Sequence, residues 1–205
     1  EIVEWGVMYE PVATEFYESL KNVTVLEFGL VPHPDFEIFG ASPDGICDST
    51  SSKECIGRML EIKCPPKRQF TEEVPRHYWM QMQGQLECCD LEECDFLQVK
   101  IEEYNSEKEY IEDSNNLIGE TKNNLPKGLV LSFITNKDNE TKYHYEYSEF
   151  YKSFEEIKKW SENIISKIKD YNELKFHWWK IERYECTLVT RDKDWWNSVV
   201  KDIYQ

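Results

Sequence analysis

Met59-Leu60-Glu61-Ile62-Lys63-Cys64-Pro65 reads as one strand, and on that reading the fold depends. Alternation sends Leu60, Ile62 and Cys64 to one face and Glu61 with Lys63 to the other. The apolar set suits a core. Pro65-Pro66 ends the strand, since proline cannot donate to a ladder and restricts the residue before it. An acid and a base therefore stand side by side on a half-buried strand. An isolated Glu-x-Lys is commonly a surface ion pair, so its neighbours must carry any further meaning.

Seventeen residues ahead of Glu61 stands Asp44, in Gly40-Ala41-Ser42-Pro43-Asp44-Gly45. The flanking proline and glycine fix a turn and hold the carboxylate at a defined place, although an ordinary turn aspartate would look the same. If the strands on either side pair, Asp44 meets Glu61 near a sheet edge. Two carboxylates without a counter-charge repel, so one is protonated or a cation binds between them. Oxygen-only donors favour Mg²⁺ or Mn²⁺ over zinc. Downstream, His77 to Cys89 is helical after Pro75, with Trp79, Met82 and Leu86 as its packing stripe. His77, Gln81 and Gln85 repeat at i, i+4 on another face. Such a stripe is usually solvated, but here it lies close enough in sequence to cross the polar face of the Glu61 strand.

Further out, residues 4–20 read as a helix, with Pro11 comfortable only if that helix starts near Tyr9. Val23–Val31 and Phe36–Ala41 read as strands, followed by a short strand at Ile46–Cys47 and another at Phe96–Ile101. The acidic run Glu102–Glu120 reads as a hairpin tip or mobile loop. Lys127–Thr135 with Lys142–Tyr147 reads as a β pair, Phe150 to about Tyr171 as an amphipathic helix, and the Trp178/Trp179/Trp195/Trp196 tail as a closing helix. No internal repeat or linker divides the chain. The expectation is a single α+β (α/β) domain over 1–205, with a core at about 4–147 and a helical extension at about 148–205.

Composition narrows the function classes. With 40 acidic against 24 basic residues the formal charge is −16, which repels nucleic acid at long range. The acid is uneven, however: Arg58, Lys63, Lys67, Arg68 and Arg76 form a short basic strip. No apolar run reaches the roughly 18–20 residues that span a bilayer, so no membrane association is expected. The 14% aromatic content argues against disorder. Seven scattered cysteines without a CxxC motif predict free thiols in a reducing compartment rather than a disulfide framework or a zinc ribbon. The chain opens at Glu1 with no signal segment, as a processed product or a fragment would.

Pro43-Asp44 followed by Glu61-Ile62-Lys63 is the PD-(D/E)xK nuclease pattern. Together with Trp5–Ala13, Gly40–Gly45, Leu60–Pro65 and Tyr78–Leu86, it resembles the YqaJ-type viral recombinase branch, the lambda exonuclease family, over roughly residues 4–100. The tail resembles only loosely the extensions of large-DNA-virus members. The resemblance implies a restriction-endonuclease-like core, a central mixed β-sheet flanked by helices. It implies that Glu10, Asp44 and Glu61, with the backbone carbonyl of Ile62, hold Mg²⁺ (or Mn²⁺). Lys63 then positions or deprotonates the attacking water and Gln81 steadies it, while Lys67, Arg68, Arg76 and Gln85 contact DNA. The implied substrate is linear duplex DNA cut from its ends in viral recombination or repair. The implied partners are further copies in a trimer and a single-strand annealing protein, and the implied place is the host cytoplasm or nucleus.

Two features depart from the family. Members carry, ahead of the Gly6–Glu10 helix, a segment with a Trp, an Arg and a Gly-Gly-Ser stretch, which nothing here matches; the overall acidity is the second. A catalytically inactive member acting as a DNA-binding or assembly module is therefore the alternative. An unrelated acidic interaction module with tryptophan anchors is the alternative from another class.

Overall fold

The structure is a computed structural model, and it describes residues 2–36, 40–66, 70 and 73–203. In chain order the elements are α1 (Ile2–Lys21), β1 (Val25–Leu26), β2 (Val31–Pro32), β3 (Gly40–Ala41), β4 (Gly45–Cys47) and β5 (Met59–Lys63). Then follow α2 (Arg76–Cys89), β6 (Glu93–Glu103), α3 (Glu107–Glu112), β7 (Lys127–Lys137) and β8 (Glu140–Tyr147). The chain ends with α4 (Phe154–Lys167), β9 (Tyr171–Thr190) and α5 (Lys193–Ile203). This is the expected mixed α+β architecture, with a sheet ordered β1-β4-β5-β6-β9-β7-β8 and a separate β2–β3 pair. The chain forms two compact units, Glu1–Tyr9 with Lys100–Arg183 and Glu10–Val99 with Tyr184–Gln205. The elements α1, β6 and β9 run from one into the other.

The second unit is built around β5. Its antiparallel neighbour β4 pairs Gly45 with Leu60, and its parallel neighbour β6 pairs Glu61 with Phe96. A parallel neighbour requires a crossover, which α2 supplies while covering the sheet. Met82 and Leu86 of α2 bury against Met59, Cys94, Phe96 and Val189, all within one apolar cluster. Both faces of β5 are thereby covered, since Met59, Leu60, Glu61 and Ile62 are all buried. Gly45 is required by packing: a Cβ there would lie 2.1 Å from Cγ1 of Val25. Gln83, fully buried, ties α2 to the end of β9 by donating to the Thr190 carbonyl and accepting from the Asp192 amide. Arg191 locks the same corner with a two-pronged pair to Glu87, at 2.7 and 2.9 Å.

In the first unit β7 pairs with β8 from Val130↔Tyr147 to Lys137↔Glu140. The two-residue loop Asp138-Asn139 has φ of +53° and +64°, the left-handed pair that a tight hairpin needs. Helix α4 opens on a reciprocal capping box between Ser153 and Glu156. It packs Ile157 against Tyr110, Leu129, Leu131 and Trp178.

Several sequence expectations are corrected. Helix α1 holds residues 4–20 as expected, but without starting near Tyr9: it runs through Pro11, whose exposed position lets water take the carbonyl that proline leaves without a partner. The acidic run is not a hairpin tip and is a loop only in part: Ser106 caps the short helix α3 there, and the Lys127 ammonium donates to the carbonyls of Tyr110 and Asp113 at its end. The expected strands Val23–Val31 and Phe36–Ala41 shrink to β1, β2 and β3, with residues 37–39 outside the described set. The tail is not all helical: Trp178 and Trp179 lie on the 20-residue strand β9, whose β-branched and aromatic residues suit a sheet, and only Trp195 and Trp196 lie on α5.

Breaking a buried pair strands the remaining charge and costs about 3–5 kcal/mol. Arg191→Ala should therefore lower stability by about 3 kcal/mol in urea denaturation, and Arg191→Met with Glu87→Leu should recover most of the loss.

Candidate active site

The strand β5 places Glu61 under α2, and burial of that carboxylate organises the surroundings. Glu61 is 3% exposed, and a buried carboxylate must be paired and hydrogen-bonded. Gln81 donates its amide N–H to Oε1 and Gln85 to Oε2, each at 3.2 Å. The i, i+4 stripe thus delivers one amide to each carboxylate oxygen, whereas His77, one turn earlier, stacks on Tyr78 instead. Lys63 reaches back along its own strand to place Nζ 3.0 Å from Oε1 and 4.6 Å from the centre of the Tyr78 ring.

Asp44 arrives from the other side. Just ahead of β4 the Asp44 side chain extends the ladder: its Oδ2 accepts the Ile62 N–H at 2.7 Å. Glu10, from α1, lies close enough to Asp44 for each carboxyl to affect the other. Burial first, then the charge of Glu61, raises the Asp44 pKa to about 7, against the restraining effect of the Ile62 N–H. Burial likewise raises that of Glu10, partly offset by the bond from Asp44. Cys64, beside both, is pushed up to about 12 by burial and by these acids, so its thiol stays neutral.

The structure thus brings Glu10, Asp44, Glu61, Lys63 and Gln81 into one cluster within the second unit. Gln85, expected to contact DNA, is 5% exposed and holds Glu61 instead of standing where a phosphate would pass. Arg76 lies at the start of α2 with its guanidinium 4.3 Å from the Trp79 ring and 5.6 Å from that of Trp195. Lys67 and Arg68 lie outside the described residues. Tyr78, which supports the Lys63 ammonium, escaped the sequence reading; its position one residue past the start of the glutamine stripe was the available signal. All seven cysteines are free, as expected. Among the described residues no helix is long and apolar enough to cross a membrane.

The donor chemistry fits a hard divalent cation: three carboxylates converge on β5, and the only nearby sulfur is a neutral thiol. Among the described residues no three acids, cysteines or histidines already stand as a finished metal cage. N–H donors hold Glu61 and Asp44 instead.

A mixed sheet crossed by a helix, with Asp44, Glu61 and Lys63 grouped at β4 and β5, defines a restriction-endonuclease-like core. The comparisons place it further. Residues 1–92 match the YqaJ-like viral recombinase domain. An uncharacterized protein of Acanthamoeba polyphaga mimivirus is 34% identical over 226 residues, covering 95% of this chain and 40% of that protein. The alkaline exonuclease of Laribacter hongkongensis is similar at 30% identity over 48% of this chain and 50% of its own, with a TM-score of 0.40. In complex with dAMP it aligns at 21% identity over 80% and 65%, with a TM-score of 0.39. The chain thus spans less than half of its mimivirus relative.

A carboxyl whose folded pKa exceeds its unfolded value adds stability that is fully present below the unfolded value and is lost as pH rises through the folded one. For Asp44 that window runs from 3.8 to about 7. The metal-free wild type should therefore lose melting temperature between about pH 4 and pH 7, and Asp44→Asn should flatten the profile, as read by calorimetry.

Proposed function

We propose that this chain is a metal-dependent deoxyribonuclease that hydrolyses phosphodiester bonds at the ends of linear duplex DNA. The observation that carries the reading is the convergence of Glu10, Asp44, Glu61 and Lys63 on the strand β5, with Glu61 gripped at both oxygens. Mg²⁺ or Mn²⁺ would be held by Glu10, Asp44, Glu61 and the Ile62 carbonyl, and supplies Lewis acidity towards the water and the phosphate. The protein's own groups do the rest. Gln81 and Gln85 fix the Glu61 carboxylate, so no reorganisation is required when the substrate arrives. Lys63, held at the open side of that carboxylate, orients the attacking water and offers its charge to the phosphate oxygens. Asp44 and Glu10 bring the further carboxyls whose mutual repulsion with Glu61 a cation would relieve.

A homotrimer, an annealing-protein partner, and action in the cytoplasm or nucleus of an infected host belong to the same reading through the family resemblance. The rival reading, an inactive DNA-binding or assembly module, draws on the formal charge of −16. Side chains can neutralise few phosphates on such a protein, and Arg76 with Lys67 and Arg68 are the contacts assigned here.

Cleavage of end-labelled linear duplex with Mg²⁺ or Mn²⁺ tests the reading, with covalently closed circular DNA as control. Asp44→Ala and Glu61→Ala should each reduce the rate by about 10³-fold, as loss of several kcal/mol of transition-state stabilisation requires. Wild-type rates in Asp44→Ala would sink the assignment, and rapid nicking of the circle would replace exonuclease by endonuclease. Replacing Lys67, Arg68 or Arg76 by alanine should lower the salt slope of duplex binding by about 0.9 per lost contact, alike on every sequence. Metal should raise the wild-type melting temperature and do so more at pH 8 than at pH 6, because binding must displace the proton on Asp44. Equal shifts in Asp44→Asn would place the metal elsewhere.

A further inference from the structure

A second group of reactive side chains belongs wholly to the first unit and shares no residue with the acidic cluster on β5. It comprises Ser132 on β7, His177 on β9 and Glu103 at the end of β6. The Ser132 hydroxyl lies 2.7 Å from Nε2 of His177, and Nδ1 of the same ring lies 3.0 Å from Oε1 of Glu103. Tyr9 donates its hydroxyl to that carboxylate oxygen at 2.6 Å. A nucleophile within hydrogen-bond reach of a base, with the base held by a third group, is the arrangement that activates a serine.

Proton placement follows from the partners. Burial pushes the Glu103 pKa up, but the hydrogen bonds from His177 and Tyr9 outweigh it and leave it below the ordinary value. An ionised carboxylate only accepts, so Nδ1 of His177 carries a proton. In the neutral ring Nε2 is then bare, and the Ser132 hydroxyl donates to it. A serine nucleophile needs that tautomer, because the base already faces the proton to be removed.

The three groups open onto a cleft. Glu103, Ser132 and His177 all line a cavity of about 230 Å³, beside Trp5, Tyr145 and Lys175. Register explains the gathering: Ser132 stands directly opposite Tyr145 of β8 on one side and Lys175 of β9 on the other. Directly paired residues share a face, with Cβ atoms about 5 Å apart, so the exposed Lys175 is the cation nearest to hand for an oxygen bound beside the Ser132 hydroxyl. Next to Ser132 the ladder is broken. Glu173 and Leu174 stand against Phe133 alone, and Glu173 takes a φ of +52°. Bulges re-aim side chains and are over-represented beside active sites, and a left-handed glutamate stores strain that its surroundings must hold. A hydrogen-bond chain that served only the fold would need neither an open cleft nor a strained bulge at its serine end.

We propose that Ser132, His177 and Glu103 form a second hydrolytic site, in which Ser132 is the nucleophile that cleaves small uncharged carboxylic esters. The site stands apart from the nuclease reading and does not rest on it. The Ser132 oxygen attacks the ester carbonyl carbon while its proton passes to Nε2 of His177. Lys175 offers its charge to the carbonyl oxygen as that oxygen becomes negative. The ester C–O bond then breaks, the leaving alcohol takes the proton from His177, and the acyl group stays on Ser132. Water repeats the sequence with His177 as base, which releases the carboxylic acid and restores the hydroxyl. Glu103 is a positioning residue that fixes the ring and its tautomer. Glu4 and Glu173 in the wall repel an anionic acyl group, whereas Trp5 and Tyr145 suit a short apolar one.

The test uses the full chain without DNA or added metal, so its outcome is independent of the nuclease reading. A fluorophosphonate reagent is added and the site of modification is mapped by mass spectrometry; hydrolysis of p-nitrophenyl acetate is followed by stopped flow. The adduct should fall on Ser132, and p-nitrophenolate should appear in a burst of about one equivalent. Ser132→Ala should remove both. His177→Asn should slow modification of Ser132 by about 10²-fold or more, and Lys175→Met should slow acylation by about tenfold. Glu103→Gln, which keeps the size of the side chain and carries the test if the histidine variant does not fold, should lower the acylation rate by about tenfold with KM unchanged. In that variant the imidazole nitrogen resonances of His177 should show the proton no longer held on Nδ1. A folded wild type in which Ser132 stays unmodified would overturn the proposal, as would a burst that survives Ser132→Ala or a wild-type modification rate in both His177→Asn and Glu103→Gln.

Discussion

A carboxylate buried in the middle of a sheet is the constraint on which the second unit depends. Glu61 has strands on both sides of β5 and a helix above it, so water cannot solvate its charge. An isolated ionised carboxylate in such surroundings would neutralise or unfold the site. Each neighbouring choice answers that demand: two glutamines one helical turn apart, a lysine two residues along the strand, and a crossover helix short enough to bring the glutamines over it. The packing stripe Met82 and Leu86 fixes the rotation of α2, and that rotation sets which glutamines face Glu61. Core packing and site geometry are therefore one decision taken by the same helix.

Much of this was legible from residue types. Alternation in Met59–Cys64 set Glu61 and Lys63 on one face, and the Gln81/Gln85 spacing set the amides on one side of α2; both survive in three dimensions. What alternation missed was burial of both faces. It treats a strand in isolation, whereas a parallel neighbour and its crossover helix cover the second face. For that reason Gln85 looked like a surface contact and is instead a buried one. Likewise Trp178 and Trp179, read with the helix-like tail, belong to β9, where pairing with Leu129 and Gly128 agrees with the strand preference of aromatic residues. The short strands β1 to β3 lay beyond reach for the opposite reason, being two residues each and held by neighbours rather than by pattern. Pro11 misled because exposure, invisible in sequence, decides whether a helix can bear it.

The charge balance gains a local meaning. A chain with a formal charge of −16 is a poor partner for DNA if its charge is averaged. At short range the balance differs, because burial raises the pKa of Glu10 and Asp44, Glu61 is matched by Lys63, and Arg76 is held against Trp79 and Trp195. An arginine stacked on tryptophan loses less freedom on binding a phosphate than a free one, and keeps its N–H edges outward. On the proposed reading, the acid far from the site would tune association by ionic strength, while contacts near it would decide where a DNA backbone lies.

Asp44 joins the two halves of the chemistry. Its carboxylate replaces a ladder acceptor for Ile62, so it is part of the sheet as well as of the acidic cluster. Moving Asp44 to meet a ligand would cost that backbone bond; keeping it fixed obliges the ligand to come to Asp44. Glu10 comes from a helix and takes no part in the ladder. The site thus has an edge fixed by sheet hydrogen bonding at Asp44 and another supplied by α1, where a side chain can turn towards a cation without breaking a backbone bond.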